Sequence, residues 1–275
     1  MQVNVNKETT LCISLAAKPS NFGTRFHNYL YRELKLNFLY KAFKTSDINS
    51  TIGGIRSLGI RGCGVSMPYK EAVIPLVDEL DSSVQGIQSV NTIVNTDGYL
   101  KAYNTDYLAI ATLLKEHHVD PHFTFYLQGA GGMAKAVASA LRDAGFTQGT
   151  IVARNEQKGR ALAEQYGFAW AAQTPVEGAQ LLINATPLGM QGSDTEQQCA
   201  FPTATIADAQ VIFDVVAMPE LTPLITQAKA LGKSVITGAS VFALQALAQF
   251  ELYTGVRPDS ELFQQAAAFS RLPEE

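Results

Sequence analysis

Short apolar runs alternate with helix-periodic stretches nearly from end to end of the chain, which predicts an α/β fold with largely parallel sheets. In the first part the runs predict strands near residues 11–16, 38–43 and 61–67, with helical patterns over 24–35 and 47–58 between them. Residues 89–95 and 100–103 flank Asp97-Gly98, a turn signal that makes the pair a β-hairpin. Over 105–116, Leu108, Ala111 and Leu114 recur at helical spacing. A second alternating series starts at Phe123 and continues through 150–153, 181–184, 211–215 and 234–236. The helical patterns over 240–253 and 260–269 have no strand left to cross over to, so they are expected to return to the first domain. The division that follows is a first domain of residues 1–105 completed by 238–275, and a second of 106–237. No internal repeat or low-complexity segment interrupts it.

At 275 residues the chain is long enough for two domains, each with its own core. Its 47% apolar and 17% charged residues fit a soluble globular protein. The net charge of -4 gives no reason to expect a nucleic acid or an anionic membrane as partner. No apolar run approaches the ~20 residues of a membrane helix, and residues 1–10 are polar, without the apolar core of a signal peptide. Cys12, Cys63 and Cys199 are scattered without disulfide or metal spacing, which fits a reducing cytoplasm. His117, His118 and His122 lie close together, but Pro121 interrupts any helix that would align them, so a solvated helix end is the preferred reading and no metal is expected. A homodimer is compatible with the chain, although no long apolar helix face demands one.

Candidate chemistry begins at Leu127-Gln128-Gly129-Ala130-Gly131-Gly132-Met133-Ala134. An apolar run enters this stretch and a small-residue helical pattern leaves it, the order that a dinucleotide pyrophosphate requires. Gly129 permits the tight turn, Gly131 lets backbone approach phosphate, and the helix presents free N–H groups and its positive dipole end. The spacing G-x-G-G-x-A is a variant of the usual fingerprint, and the bland alternative is a glycine turn kept for packing. Strand 150–153 is followed by Arg154-Asn155, with Lys158 and Arg160 beyond. A cofactor with a free ribose 2′-hydroxyl usually meets an acidic residue there, whereas arginine suits a 2′-phosphate, so NADP is preferred over NAD. Glu156 nearby weakens the preference, and ordinary solvated charges at a helix start are its alternative.

The first domain carries a polar constellation. Lys70 emerges just beyond a buried strand, Asn91-Thr92 lies in an apolar strand, and Asn104-Thr105-Asp106 joins a hairpin strand to a helix. Ends of strands beside a domain junction are where α/β proteins place their chemistry. Singly, each has a bland reading: Lys70 a first exposed helix residue, Asn91 a satisfied strand amide, Thr105 or Asp106 an N-terminal cap.

Together these residues resemble the shikimate dehydrogenase family over most of the chain. The matching stretches are Gly64-Val65-Ser66-Met67-Pro68-Tyr69-Lys70, Ser89-Val90-Asn91-Thr92, Asn104-Thr105-Asp106, the glycine turn from Gly129 to Ala134, Ile183-Asn184-Ala185-Thr186-Pro187, and residues 238–245. The resemblance implies an N-terminal α/β substrate domain, a Rossmann-type NADP domain, and C-terminal helices packed back on the first. It implies reversible hydride transfer between a ring carbinol of shikimate, or of a close cyclic hydroxy acid such as quinate, and NADP+. Lys70 and Asp106 would flank the reacting hydroxyl as the acid–base pair, with Asn21, Asn91 and Gln245 binding other substrate groups. Gly129, Ala130, Gly131, Gly132, Met133 and Ala134 would hold the pyrophosphate, and Arg154, Asn155 and Lys158 the adenosine phosphate. Thr186 and Val215 would line the nicotinamide side, with Gly238 closing over it. A lysine at its ordinary pKa, about 10.4, is a poor base at neutral pH, so which member of the pair holds the proton is left open.

Two departures accompany the resemblance. The family carries two serines, two apart, that hold the substrate carboxylate; the corresponding residues here are Asn21 and Gly23. Thr24 or Ser20 offers a shifted hydroxyl. A lost hydrogen bond to a charged group is worth roughly 1.5–3 kcal/mol, so shikimate binding is expected to be weakened about ten- to a hundredfold. The family's tyrosine near the end of strand 211–216 is also missing, with Ala217 following Val216. The expectation is a divergent shikimate dehydrogenase-like paralogue. Two alternatives remain: a non-catalytic NADP- or metabolite-binding regulatory protein, and a related dehydrogenase of folate or amino-acid substrates.

Overall fold

The computed structural model describes residues 5–272; the first four residues of the polar N-terminal stretch and the last three of the chain lie outside the described residues. The chain forms two units, Met1–Thr105 with Gln245–Glu275, and Asp106–Leu244. The second boundary falls inside a helix, so residues 238–244 group with the second unit rather than with the first.

In the first unit, β1 (Thr10–Ala16), β2 (Phe38–Lys44), β3 (Gly62–Val65), β4 (Glu79–Leu80), β5 (Thr92–Thr96) and β6 (Tyr99–Tyr103) form one sheet in the order β2-β1-β3-β5-β6-β4. The sequence pattern predicts largely parallel pairing, and this sheet is mixed: β1 runs parallel to β2 and β3, whereas β3–β5 and β5–β6 are antiparallel. The hairpin reverses the direction. Asp97 and Gly98 have φ of 52° and 88°, the left-handed pair of a two-residue turn, and Asn95 Oδ1 accepts from the Gly98 N–H at 2.8 Å.

Helix α1 (Phe22–Glu33) is clipped to β2 by Asn28, whose amide donates to the Tyr40 carbonyl and accepts from the Tyr40 N–H at 2.8 and 2.9 Å. Helix α2 (Ile48–Ser57) starts at Asp47, whose carboxylate accepts from the Ser50 N–H at 3.1 Å. One face of the sheet buries Ile13, Leu15, Ile52, Ile55, Cys63 and Ile93. Away from that aliphatic core, α1 contributes His27 and Tyr31 to an aromatic layer with Tyr40, Phe250 and Tyr253.

Helix α8 (Gly238–Thr254) enters this unit from Gln245 onward. Its last carbonyls, on Leu252 and Tyr253, accept from Arg61, which also donates to the Asn95 carbonyl at 2.8 Å, a cation placed where the helix dipole is negative. A Cβ at Gly62 would fall 2.3 Å from the Tyr253 ring, so helix and sheet meet there only because the residue is glycine. Helix α9 (Ser260–Arg271) packs on α1, with Arg25 over the Phe269 ring.

In the second unit, β7 (Phe125–Gln128), β8 (Gly149–Val152), β9 (Ala169–Ala171), β10 (Leu181–Asn184), β11 (Val211–Asp214) and β12 (Ser234–Ile236) lie in the order β12-β11-β10-β7-β8-β9, every neighbour parallel. The order reverses between β7 and β10, the switch point at which such sheets bind ligands. Strand residues feed two cores alternately: Phe125, Leu127, Ile151, Ile183 and Phe213 face one side, and Tyr126, Val152, Leu182 and Ile212 the other. The crossovers are α4 (Gly132–Asp143), α5 (Glu156–Tyr166), α6 (Thr203–Asp208) and α7 (Pro223–Ala230), and α3 (Thr105–Glu116) leads into the unit.

Candidate active site

In the first unit Asn91, Thr92, Thr105 and Gln249 are buried and Gln245 is half-buried, and the five side chains form one hydrogen-bonded cluster. Asn91 Oδ1 accepts from the Thr105 N–H at 2.8 Å, from Thr105 Oγ1 at 3.1 Å and from Thr92 Oγ1 at 2.9 Å. Gln245 Oε1 accepts from Asn91 Nδ2 at 3.5 Å and lies 3.4 Å from Thr105 Oγ1, whose single hydrogen serves either this oxygen or Asn91 Oδ1. Asn91 and Gln245, both expected from the sequence, come together in the structure; Gln249, one helical turn beyond Gln245, joins them without having been expected. An i, i+4 pair of glutamines on a helix otherwise rich in apolar residues is the signal that could have found it.

Lys70 is half-buried in the turn after β3, and its carbonyl accepts from the Val90 N–H at 2.8 Å, which holds its backbone beside the Asn91 strand. It does not begin a helix. Asp106 is buried in the first turn of α3, directly after Thr105, and is the first residue of the second unit. Asn104 supports the hairpin instead, donating to the Ser89 carbonyl at 2.7 Å.

Asn21 stands exposed before α1; its carbonyl accepts the first helical bond from Arg25, while its side chain makes no capping bond. A Cβ at Gly23 would lie 3.3 Å from Tyr40 Cε1 and 3.4 Å from the Tyr40 hydroxyl, so the Tyr40 ring stands directly beside this glycine. Thr24 Oγ1 is buried without a partner, a hydroxyl available to a ligand oxygen.

The second unit's site is mainly backbone. Gly129 has φ of 121°, and a Cβ there would meet the Ala185 carbonyl oxygen at 2.8 Å. Gly131 precedes α4 at the capping position, with no side chain to bond the free N–H groups, no acidic residue in the first turn, and open space where a Cβ would be. Ala130 continues the turn, Gly132 and Met133 begin α4, and Ala134 is fully buried behind them. These features fit a pyrophosphate.

Beyond β8, Arg154 and Lys158 are exposed, whereas Asn155 accepts from the Lys158 N–H at 2.9 Å and so caps α5. Arg160 turns away from them: it pairs with Glu156 at 2.8 Å and lies over the Trp170 ring, 4.3 Å from its centroid.

On the other side of the switch point, Thr186 donates to Asn184 Oδ1 from its N–H at 3.0 Å and its hydroxyl at 2.6 Å. Asn184 in turn donates to Asp214 Oδ1 at 3.0 Å. Asp214 also accepts from the Val216 N–H at 3.0 Å and the Thr222 hydroxyl at 2.6 Å. Burial pushes its carboxyl up to about 6 even against those three donors. Val215 donates through its N–H to the Asn184 carbonyl at 3.0 Å. A Cβ at Gly238 would fall 2.2 Å from the Val216 carbonyl oxygen, so α8 starts hard against this loop.

Comparison with known proteins places the chain. Residues 21–93 match the shikimate dehydrogenase substrate binding domain. The shikimate dehydrogenase-like protein of Haemophilus influenzae is 53% identical over 97% of this chain and 98% of its own. The chain belongs to the shikimate dehydrogenase family. The shikimate dehydrogenase (NADP(+)) of Prosthecochloris aestuarii is 36% identical, over 86% of this chain and 87% of its own. The Thermus thermophilus shikimate 5-dehydrogenase, solved with NADP(H) and shikimate, is 28% identical and superposes with a TM-score of 0.83 over 95% of this chain and 99% of that one. The two-unit fold with its Rossmann-type sheet is therefore the family fold. Among the described residues, no helix is long and apolar enough to cross a membrane.

Proposed function

We propose that this family member is an NADP-dependent oxidoreductase that interconverts shikimate, or a close cyclic hydroxy acid such as quinate, and its 3-dehydro ketone. One observation carries the reading: a buried amide cluster suited to a polyhydroxylated ring stands in the same chain as a helix N-terminus left bare for a phosphate. Residues 1–105 with the C-terminal helices serve as the substrate domain, and the second unit as the NADP domain. When bound, the nicotinamide supplies the hydride acceptor.

The chain's own residues supply the rest. Lys70 takes the proton that the reacting hydroxyl sheds, and Asp106 orients Lys70 and the same hydroxyl; proton transfer of this kind contributes roughly 10²–10⁴-fold. Asn91 and Gln245 hold neighbouring ring oxygens. Residues 129–134 hold the pyrophosphate, Arg154 and Lys158 the 2′-phosphate, and Thr186, Val215 and Gly238 shape the nicotinamide side. Asn155 contributes by capping the helix on which Lys158 stands.

Substrate carboxylate is held weakly, because Asn21 is exposed and Gly23 has no side chain to donate. That observation also favours the second reading, a non-catalytic sensor of NADP or a metabolite. The test is NADPH appearance with NADP+ and shikimate, then quinate, over a wide concentration range. Turnover, saturating or not, supports the dehydrogenase. NADP binding with no turnover of either acid leaves the sensor.

A further inference from the structure

The hydrogen bonds around Asn91 have a direction, and backbone groups lock it at both ends. A peptide N–H can only donate, so the Asn91 atom facing the Thr105 N–H is Oδ1, and Nδ2 must face Gln245. Gln245 therefore turns Oε1 inward, and its Nε2, which has no partner among the described residues, faces away with two hydrogens. At the other end, Gln249 Nε2 lies 3.3 Å from the Asn91 carbonyl, which can only accept, so Gln249 is the donor there. The same Nε2 donates to Thr92 Oγ1 at 2.9 Å, leaving the Thr92 hydrogen for Asn91 Oδ1.

Gly64 lies beside Gln249. A Cβ at that position would sit 3.0 Å from the Tyr40 hydroxyl and 3.3 Å from the Ser14 Cβ, both tight, and at ordinary contact distance, 3.4 Å, from Gln249 Nε2.

We infer that Gln249 is a positioning residue for substrate recognition: by donating to Thr92 it orders the relay Gln249–Thr92–Asn91–Gln245, so that Gln245 presents only N–H donors and selects a hydroxyl or carbonyl oxygen of the ligand. Gln249 itself touches no substrate; Thr92, Asn91 and Gln245 lie between. The inference rests on the dehydrogenase reading for the identity of the ligand, but not for the relay.

Two substitutions test it. In Gln249→Leu, of similar size and without donors, KM for shikimate rises about tenfold while kcat stays within about threefold, as a lost neutral hydrogen bond in the binding site requires. In Gln249→Glu, an ionised carboxylate accepts where the amide donated, so KM is raised at about pH 8; it recovers toward the parent value as pH falls and the buried carboxyl regains a proton to donate to Thr92. In the parent, burial holds His27, Tyr40 and Tyr253 neutral across that range; because His27 lies against Gln249 and would pair with a carboxylate there, Gln249→Glu is compared with Gln249 in a His27→Phe background, which leaves the introduced carboxyl as the group that titrates. A merely structural role would not produce a KM that recovers with protonation.

A second readout needs no turnover. The side-chain NH2 resonances of Asn91 and Gln245 shift or broaden in Gln249→Leu without ligand. Unchanged resonances, or an unchanged KM in both variants, overturn the inference. Absence of turnover and binding of either acid in the parent overturns the dehydrogenase reading instead, and the resonances still judge the relay.

Discussion

The two units place ligands with different materials. The first uses side chains: a buried cluster of amides and hydroxyls on β5, α3 and α8, with Lys70 on the turn after β3. The second uses backbone: a glycine turn, a bare helix start, and a loop drawn in by Asp214 until Gly238 meets the Val216 carbonyl. A site made of side chains can be altered one residue at a time while the sheet beneath it stays intact. A site made of backbone changes when atoms are added rather than removed. That difference fits Asn21 and Gly23, both in the first unit, standing within an otherwise complete fold.

The largest effect should come from removing a side chain in the first unit. Lys70→Ala is expected to lower turnover by roughly 10²–10⁴-fold, the range for a lost acid–base group. Lys70 is half-buried in a turn, and its carbonyl, which the substitution keeps, bonds the Val90 N–H, so thermal unfolding should stay close to that of the parent. Undiminished turnover would remove the first unit from the chemistry.

Adding a single methyl group sharpens the contrast in the second unit. At Gly238 a Cβ lies 2.2 Å from a backbone oxygen, so Gly238→Ala should cost about 1–3 kcal/mol in stability, read as a lower Tm. At Gly131 the same Cβ meets open space. Gly131→Ala should therefore leave stability within about 0.5 kcal/mol, yet weaken NADP binding about tenfold or more by standing where phosphate approaches backbone. Calorimetric titration with NADP+ beside a melting curve separates the two. Equal NADP affinity in the Gly131→Ala protein would mean that the cofactor does not use this turn.

The same contrast governs how much was legible in the sequence. Backbone devices leave local signatures. The glycine turn, the Asp97-Gly98 hairpin and the apolar run that became β10 (Leu181–Asn184) are all visible within a few residues. Side-chain clusters do not, because their partners are far apart: Gln249 and Thr92 are separated by 157 positions. Asp214 and Thr222 are only eight apart, but nothing in the run Val211–Asp214 says that its last residue is buried and triply bonded. The strands that escaped notice are β4, two exposed residues, and β9, three residues with no alternation to read. The cationic cluster after β8 was legible as composition only; its geometry splits it, since Arg160 is held by Glu156 and Trp170.

Each unit also buries an ionisable side chain whose pKa burial displaces toward the neutral form, His27 in the first and Asp214 in the second, and here the contrast reverses. His27, in the first unit, completes a hydrogen bond with neither ring nitrogen; burial lowers its pKa from 6.5 to about 3, and the nearby Gln249 amide opposes only part of the shift. Asp214, in the second, has three donors and is raised from 3.8 to about 6. The unfolded chain protonates His27 first, so its contribution to stability is present above pH 6.5 and is lost as pH falls toward 3, about 2 kcal/mol by pH 5. Folded Asp214 takes up its proton first, so its contribution is present below pH 3.8 and lost as pH rises through 6; between pH 7 and pH 5 acidification returns about 1 kcal/mol. The two slopes oppose each other over this interval, with the His27 loss the larger. Asp214→Asn should expose the acid loss from His27, and His27→Phe should make stability rise on mild acidification, each read as the difference from the parent in urea unfolding at pH 7 and pH 5. Parallel pH profiles for the parent and both variants would mean that neither buried group titrates as its surroundings dictate.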